Sequence, residues 1–192
     1  MKNNQEGEMN EIKGSILFDR SKINGRVREL ADEISRDYEG KDLVIVAILK
    51  GAFIFLADLT RNLSIPHVVD FARLASYGSG TESTGIVEIK KDIEVSVHGR
   101  DVLIIEDIVD TGITIAFFAE RLRKRNPRSL RSCTLLDKKE RRQTDFQPDY
   151  VGFNVEKGFI VGYGLDYDDQ YRCLPDIYAL DEAAYSGVKS DS

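Results

Sequence analysis

The feature that most restricts the fold of this chain is an unbroken apolar run, Leu43–Leu49, with the sequence LVIVAIL. The run is rich in β-branched residues and is flanked by Asp42 and Lys50. Such a run predicts a strand that is buried on both faces, as strands of parallel sheets are. It is far too short to cross a bilayer, which needs about 20 apolar residues.

Between this strand and others of its kind, apolar residues recur at helical spacing. Three stripes result: Ile23, Val27, Leu30 and Ile34; then Ala52, Leu56, Leu59 and Leu63; then Ile115, Phe118 and Leu122. Further strands are predicted at residues 67–74, 102–105, 130–136, 150–155 and 159–165. Alternating strands and helices predict an α/β fold, with a mainly parallel sheet flanked by helices on both faces.

One domain, residues 1–192, accounts for this pattern, because a chain of this length buries a sizeable core and no linker or repeat interrupts it. The segment 76–85 (SYGSGTESTG) consists mostly of Gly, Ser and Thr and predicts a mobile loop. Residues 86–90 and 93–97 alternate in polarity, which predicts a pair of antiparallel strands under that loop.

Composition and charge exclude several functions. The net charge of -6 argues against nonspecific nucleic-acid binding, which needs a basic surface. The polar ends, residues 1–11 and 187–192, are expected to be disordered; with no apolar leader or membrane span, we expect a cytoplasmic protein. The residues that most often bind zinc or form disulfides are few and scattered: Cys133, Cys173, His67 and His98. We therefore expect reduced thiols, no zinc site and no histidine-based triad.

In parallel sheets, ligands bind beyond the carboxyl ends of the strands. The most informative such segment is 104–114 (IIEDIVDTGIT), where a buried strand leads through a short loop into a helix. A helix start with a glycine and hydroxyl side chains favours a phosphate, because its N–H groups are unpaired and carry partial positive charge. The segment is not a Walker P-loop, and its Asp107 and Asp110 are three apart, whereas haloacid-dehalogenase-like phosphatases space theirs by two.

Three acids, Glu106, Asp107 and Asp110, would repel that phosphate unless something offsets their charge. They face Mg²⁺ or sugar hydroxyls, or one of them takes a proton during a reaction. The simpler alternative is that Asp110 and Thr111 merely cap the helix.

This segment resembles the phosphoribosyl-diphosphate-binding signature of type I phosphoribosyltransferases, and the chain is most similar to bacterial hypoxanthine(-guanine) phosphoribosyltransferases. The resemblance extends from about Ile23 to Asp181. It is carried by five segments in order: VAILKGAFIFLADL, VDFARLASYGSG, DVLIIEDIVDTGIT, TLLDKKERR and FIVGYGLDYDDQYRCLP. It implies a type I phosphoribosyltransferase fold, with a small hood and a mobile antiparallel loop.

The resemblance also implies which residues bind phosphoribosyl diphosphate. Glu106 and Asp107 would hold the ribose hydroxyls, directly or through Mg²⁺. Residues at the helix start would bind the 5′-phosphate: Thr111, Gly112, Ile113 and Thr114. The leaving pyrophosphate would be bound, and the reacting centre covered, by Lys50, Gly51, Arg172 and the loop residues Ser76 and Tyr77. The peptide before Lys50 is often cis in the family, and Ile113 stands where relatives often carry a polar or basic side chain.

The implied base site has two catalytic residues. Asp110 would accept the proton that the purine loses near N7, and Lys138 would donate to its 6-oxo group. Phe159 would stack on the base, the Ile160 backbone would contact its edge, and Asp166 would lie beside the base as a second Mg²⁺ ligand. Taken alone, Lys138 could be a surface lysine and Phe159 a core residue.

The implied enzyme is a Mg²⁺-dependent purine salvage transferase. It would move the 5-phosphoribosyl group from phosphoribosyl diphosphate to N9 of hypoxanthine or guanine, giving IMP or GMP and pyrophosphate. A homodimer or homotetramer is implied too. The alternatives are a ligand sensor that lost catalysis and a transferase for another base. Adenine is disfavoured, because its 6-amino group cannot accept a hydrogen bond from Lys138.

Overall fold

The computed structural model describes residues 13–77 and 86–181. Its helices are α1 (Arg20–Asp37), α2 (Phe53–Asn62) and α3 (Ile113–Arg123). Its strands are β1 (Gly14–Phe18), β2 (Leu43–Leu49), β3 (His67–Tyr77), β4 (Ile86–Lys91), β5 (Asp101–Val109), β6 (Ser129–Lys138), β7 (Tyr150–Val155), β8 (Phe159–Val161) and β9 (Ile177–Leu180). The predicted disordered ends and residues 78–85 of the predicted loop lie outside this part of the chain.

The main sheet has the strand order β4-β3-β2-β5-β6-β7. Strands β3, β2, β5, β6 and β7 pair in parallel, and only β4 joins antiparallel. A smaller antiparallel sheet, β1-β9-β8, corresponds to the hood that the resemblance implies. The predicted α/β fold with a mainly parallel sheet is therefore confirmed.

Strand β2 lies between two hydrophobic cores. Leu43, Ile45 and Ala47 face the core that includes α1 and α2. Val44, Val46 and Ile48 face the core that includes α3. Successive side chains of a strand point to opposite faces, so a strand covered on both sides needs an apolar residue at every position.

The predicted helix stripes are confirmed. Helix α1 buries Ile23, Val27, Leu30 and Ile34. It begins after Asp19, whose carboxylate accepts a hydrogen bond from the Lys22 backbone N–H at 2.8 Å and so caps the helix. No helix within residues 13–77 and 86–181 is long and apolar enough to span a membrane.

The predicted pairing of residues 86–90 with 93–97 is wrong. Strand β4 pairs with β3, and residues 93–97 form no strand. The Asp70 carboxylate accepts hydrogen bonds from the backbone N–H groups of Glu94, at 2.6 Å, and Val95, at 2.8 Å. Those N–H groups are satisfied by a side chain, so the alternation seen in the sequence reflects burial of Ile93 and Val97 and not sheet pairing.

The predicted strand 159–165 is wrong beyond Val161. Gly162, Tyr163 and Gly164 have positive φ angles of 96°, 51° and 101°, which end the extended conformation. The turn brings the chain close to Gly51, the second residue after β2. The Gly164 backbone packs against the Gly51 carbonyl oxygen, which would lie 2.2 Å from a Cβ at residue 164.

Candidate active site

The carboxyl ends of β2, β5 and β6 lie side by side, because these strands are parallel neighbours. They bring together three groups of predicted site residues that are far apart in sequence. These are Lys50 and Gly51 after β2, Glu106 to Thr114 around the end of β5, and Lys138 at the end of β6. The Leu49–Lys50 peptide bond is cis.

Glu106 and Asp107 are a pair of adjacent acids at low exposure. Glu106 is 8% exposed, and burial, together with the neighbouring Asp107 charge, raises its pKa well above the ordinary value. Burial also raises the pKa of Asp107, although a hydrogen bond to Glu106 and the Arg172 charge act in the opposite direction. A cation or hydroxyl donors placed here would favour the ionised pair, which is what a bound ribose or Mg²⁺ would provide.

Gly51 packs directly on Asp107. A Cβ at residue 51 would lie 1.7 Å from Asp107 Oδ2, so any larger residue there would displace the Asp107 carboxylate. The loop after β2 is thereby seated against the acids of β5.

The loop predicted to bind a phosphate (the phosphate-binding loop, residues 110–114) turns at Gly112 in a conformation that favours glycine. Its φ is +79°, and a Cβ there would lie 2.3 Å from Thr144 Oγ1. Gly112 is also the residue that precedes α3, and its position carries no side-chain capping bond. Thr111 Oγ1 accepts from the Ile113 N–H only at 3.4 Å. Asp110 therefore does not serve as a cap of helix α3, and the simpler alternative is wrong for this residue.

Asp110 instead faces Lys138. Asp110 Oδ1 is buried and has no hydrogen-bond partner among the residues that the structure describes. Oδ2 lies 3.0 Å from Arg141 Nη2 and 4.0 Å from Lys138 Nζ. Lys138 is 7% exposed, and its Nζ is 3.3 Å from Glu140 Oε2. The alternative of an ordinary surface lysine is therefore wrong, since a buried ammonium is retained where it has a partner to bind.

The predicted base platform lies on β8. The ring of Phe159 meets that of Tyr167 edge to face, with centroids 5.1 Å apart and an interplanar angle of 81°. Ile160 follows in the same strand and is buried. No role was predicted for Tyr167. An aromatic residue eight positions after Phe159 carries no local signal, because the rings meet only through the turn at residues 162–164.

Cations and anions pair at the outer part of the site. Lys50 Nζ lies 2.7 Å from Asp169 Oδ1, and Arg172 Nη2 lies 2.7 Å from Asp166 Oδ1 and 3.0 Å from Asp169 Oδ1. Lys50 and then Arg172 lower the pKa of Asp169. The structure thus brings Lys50, Arg172 and Asp166 together as predicted, with Asp169 as an unpredicted partner.

The backbone of Ser76 and Tyr77 forms the end of strand β3. There the two residues pair with Val87 and Ile86 of β4. The segment that joins the two strands, residues 78–85, is outside the described ranges.

A metal is compatible with these residues only together with a substrate. Among residues 13–77 and 86–181, no three or more His, Cys, Asp or Glu side chains converge as a metal cage. Mg²⁺ commonly uses one or two carboxylates and completes its shell with substrate oxygens and water. The buried pair Glu106 and Asp107, with its raised pKa values, suits that kind of site.

Nothing in the sequence distinguishes Arg142 from the other basic residues of the run KKERR, residues 138–142. In the structure its guanidinium is largely buried and donates to backbone carbonyls of the phosphate-binding loop. That contact depends on strands β5 and β6 being neighbours, which no local pattern reveals.

Comparison with known proteins agrees with this geometry. Residues 14–168 match the phosphoribosyl transferase domain. The chain is 45% identical over 177 residues to the hypoxanthine-guanine phosphoribosyltransferase of Mycobacterium tuberculosis, covering 89% of this chain and 88% of that protein. It is 44% identical over 162 residues to the hypoxanthine phosphoribosyltransferase of Salmonella typhimurium, covering 83% and 91%.

Solved structures are equally similar. The hypoxanthine phosphoribosyltransferase of Staphylococcus aureus superimposes with a TM-score of 0.87 at 43% identity, covering 91% of this chain and 95% of that one. That of Trypanosoma cruzi gives 0.86 at 40% identity, covering 93% and 96%. The fold and the ordered motifs at the sheet edge therefore have one explanation: the chain belongs to the phosphoribosyl transferase family and, within it, to the hypoxanthine(-guanine) phosphoribosyltransferases.

Proposed function

We propose that this protein transfers the 5-phosphoribosyl group from phosphoribosyl diphosphate to N9 of hypoxanthine or guanine. The observation that carries the proposal is the approach of Asp110 and Lys138, 4.0 Å apart, beside a helix start suited to a phosphate. In the reaction the bond from ribose C1 to pyrophosphate breaks, with its electron pair leaving on pyrophosphate. The bond from C1 to the base nitrogen forms, and the proton released by the base passes to Asp110.

Two side chains would recognise the base by its hydrogen-bonding pattern. Lys138 is a donor only, so it matches a 6-oxo group and rejects the 6-amino group of adenine. The unpartnered Asp110 Oδ1 is available as the proton acceptor. Phe159, supported by Tyr167, would stack on the purine ring, and the Ile160 backbone would contact its edge.

The sugar and its phosphates would bind along the same edge. Glu106 and Asp107 would accept hydrogen bonds from the ribose hydroxyls, and their charges favour the positive charge that develops on the ribose. The amides of residues 111–114 would hold the 5′-phosphate, and Lys50 with Arg172 would stabilise the leaving pyrophosphate. The loop that follows Ser76 and Tyr77 would exclude water, which otherwise hydrolyses the activated sugar.

Glu106 and Asp107 would hold Mg²⁺ together with substrate oxygens and water, and Asp166, which does not converge with them on one site in the described structure, would be a further ligand. When bound, Mg²⁺ would neutralise charge on the pyrophosphate as that group leaves. We infer in addition a single domain, a cytoplasmic location, no nucleic-acid partner and a homodimer or homotetramer. The net charge of -6 supports the absence of a nucleic-acid partner.

The test is a comparison of initial rates with purified protein, Mg²⁺ and phosphoribosyl diphosphate, using hypoxanthine, guanine, xanthine and adenine separately. Turnover with hypoxanthine or guanine, lost with EDTA and absent with adenine, is the expected result. Silence with all four bases, despite binding of phosphoribosyl diphosphate, would favour a ligand sensor instead.

Asp110→Asn tests the assignment of the proton acceptor. Removing the carboxylate of Asp110 should lower kcat about 100-fold or more, since general acid–base catalysis contributes roughly 100- to 10,000-fold. Phosphoribosyl diphosphate should still bind, because the phosphate-binding amides remain. Full activity of this variant would refute the assignment.

A further inference from the structure

We propose that Arg142 is a positioning residue that fixes Asp110 and the phosphate-binding loop relative to Lys138. This inference rests on the proposed function for its catalytic consequence. Two observations support it: the Arg142 guanidinium joins the ends of strands β5 and β6, and this guanidinium is buried.

The guanidinium of Arg142 connects three segments. Its Nε donates to the Asp110 carbonyl oxygen at 2.9 Å, and its Nη2 donates to the Val109 carbonyl oxygen at 3.0 Å. Its Nη1 donates to the Phe146 carbonyl oxygen at 2.8 Å. Its Nη2 also makes a short hydrogen bond to Asp137, the residue before Lys138.

These bonds are shielded from water. The side chain of Arg142 is 10% exposed and that of Asp137 is 3% exposed. Hydrogen bonds in such surroundings are stronger than in water, and a buried charge without its partner is costly. The pair is therefore a rigid link from the end of β5 to the end of β6.

Arginine is the side chain suited to this link. Its planar guanidinium offers five N–H donors in a fixed fork, so it can satisfy several carbonyl oxygens in one geometry. A lysine could keep the ion pair with Asp137, but its single ammonium could not reach the same carbonyl oxygens together.

The residues after Arg142 support the phosphate-binding loop from the same side. Gln143 N–H donates to the Thr111 carbonyl oxygen at 2.9 Å. A Cβ at Gly112 would meet both Thr144 Oγ1, at 2.3 Å, and Arg142 Cδ, at 3.0 Å. Movement of Arg142 would therefore move the loop that bears Asp110 and the phosphate-binding amides.

The consequence for catalysis follows from this geometry. Asp110 and Lys138 must contact two atoms of one purine, so their separation has to be set before the base arrives. A displacement of about 1 Å at a reacting centre can cost about 100-fold in rate. Because Arg142 bonds to the Asp110 backbone and, through Asp137, to the strand end that bears Lys138, it sets that separation.

Arg142→Lys is the test, with Arg128→Lys as its matched control. Arg128 also pairs with a buried aspartate, Asp101, but at the opposite end of β5. The measurements are kcat and KM for hypoxanthine per folded active site, and amide hydrogen exchange at residues 111–114.

We expect Arg142→Lys to lower kcat about 10- to 100-fold, with the KM for hypoxanthine within about threefold of wild type. Exchange at residues 111–114 should be faster, and Arg128→Lys should show neither effect. A purely structural role would lower the Tm but leave kcat per folded site unchanged. A kcat within twofold of wild type and unaltered exchange would overturn the proposal.

If Arg142→Lys does not fold, the double variant Asp137→Asn with Arg142→Gln decides the question, because it removes both buried charges together. Loss of kcat and faster exchange in that variant support the proposal, and wild-type values for both overturn it. Inactivity of the wild-type protein with every base would refute the proposed function, whereas the exchange result would still test the link.

Discussion

Replacing Glu106 by glutamine should stabilise the protein and weaken its binding of phosphoribosyl diphosphate. Glu106 is 8% exposed and adjoins Asp107, so its ionised form is disfavoured by burial and by like charge. Glutamine keeps the shape of the side chain and removes its charge. Such trade-offs are common where a site is built for a ligand and not for stability.

The size of the effect follows from linkage. Each pH unit by which the pKa of the folded state exceeds that of the unfolded state corresponds to about 1.4 kcal/mol. Because burial and the neighbouring Asp107 charge raise the pKa of Glu106, Glu106→Gln should increase the free energy of unfolding at pH 8. An increase of about 1 kcal/mol is expected, which is typical of stabilising substitutions. For a chain of this size, that raises the Tm by roughly 2–4 °C.

The change of this stability difference with pH also has a definite direction. Below the unfolded pKa both states hold the proton and Glu106 contributes nothing. As the pH rises toward the raised folded pKa, the folded state binds more protons than the unfolded state, so wild-type stability falls. The stability difference between Glu106→Gln and wild type should therefore grow from pH 5 to pH 8.

Thermal and urea unfolding across that pH range, with titration of phosphoribosyl diphosphate and Mg²⁺ at pH 8, are the assays. Binding should weaken at least tenfold in the variant. Glu120→Gln is the control, because Glu120 is an exposed residue of α3 that pairs with Lys124, and exposed pairs contribute little. A variant no more stable than wild type at pH 8 would refute the reasoning, as would a difference that does not grow with pH.

Three other substitutions probe neighbouring contacts. Gly51→Ala should displace the Asp107 carboxylate, lower stability by about 1–3 kcal/mol and weaken binding of phosphoribosyl diphosphate, measured by urea unfolding and titration. Asp169→Asn removes the anion that pairs with Lys50 and Arg172, the two cations proposed to bind pyrophosphate, so calorimetry should show pyrophosphate binding several-fold more tightly. Tyr167→Leu should raise the KM for hypoxanthine about 2- to 10-fold, because it removes an aromatic contact to the base platform.

Each of these has a control in the chain. Gly25→Ala places a methyl group where no atom lies within 4 Å, so it should not destabilise the protein. Asp168→Asn removes an exposed charge next to Asp169 and should leave pyrophosphate binding unchanged. Tyr171→Leu should leave the KM for hypoxanthine near the wild-type value. Equal effects in a variant and its control would contradict the contact in question.

Apolar periodicity predicted correctly the elements that bury side chains at regular spacing along one segment. Helix α1 and strand β2 follow from the apolar spacing of their own residues. Residues 93–97 did not follow, since alternation in a sequence cannot tell sheet pairing from capture of backbone N–H groups by the distant Asp70. The strand predicted at 159–165 failed because the chain turns at residues 162–164. Gly162 and Gly164 are a local signal for that turn, which the apolar pattern outweighed, whereas the positive φ of Tyr163 has no signal of its own.

Part of the site could also be predicted from the pattern of residues along the chain. Glu106, Asp107 and Lys138 are conspicuous because they interrupt or follow apolar runs of the sequence. Arg142 and Asp169 were missed because their partners are distant segments: the carbonyl oxygens of Val109 and Asp110 for one, and side chains from another loop for the other. The contacts of Arg142 and Asp169 depend on the tertiary structure and cannot be read from residue type.

The position of β2 between two cores has a consequence for how the protein opens. Its side chains alternate between the core of α1 and α2 and the core of α3, so neither core can separate from the sheet without exposing the same strand. The two cores should therefore melt in one cooperative transition, and the β2 amides should exchange only when the whole molecule unfolds. The proposed active site lies beyond the last shared core residues, so we expect local opening there to leave that cooperative unit intact.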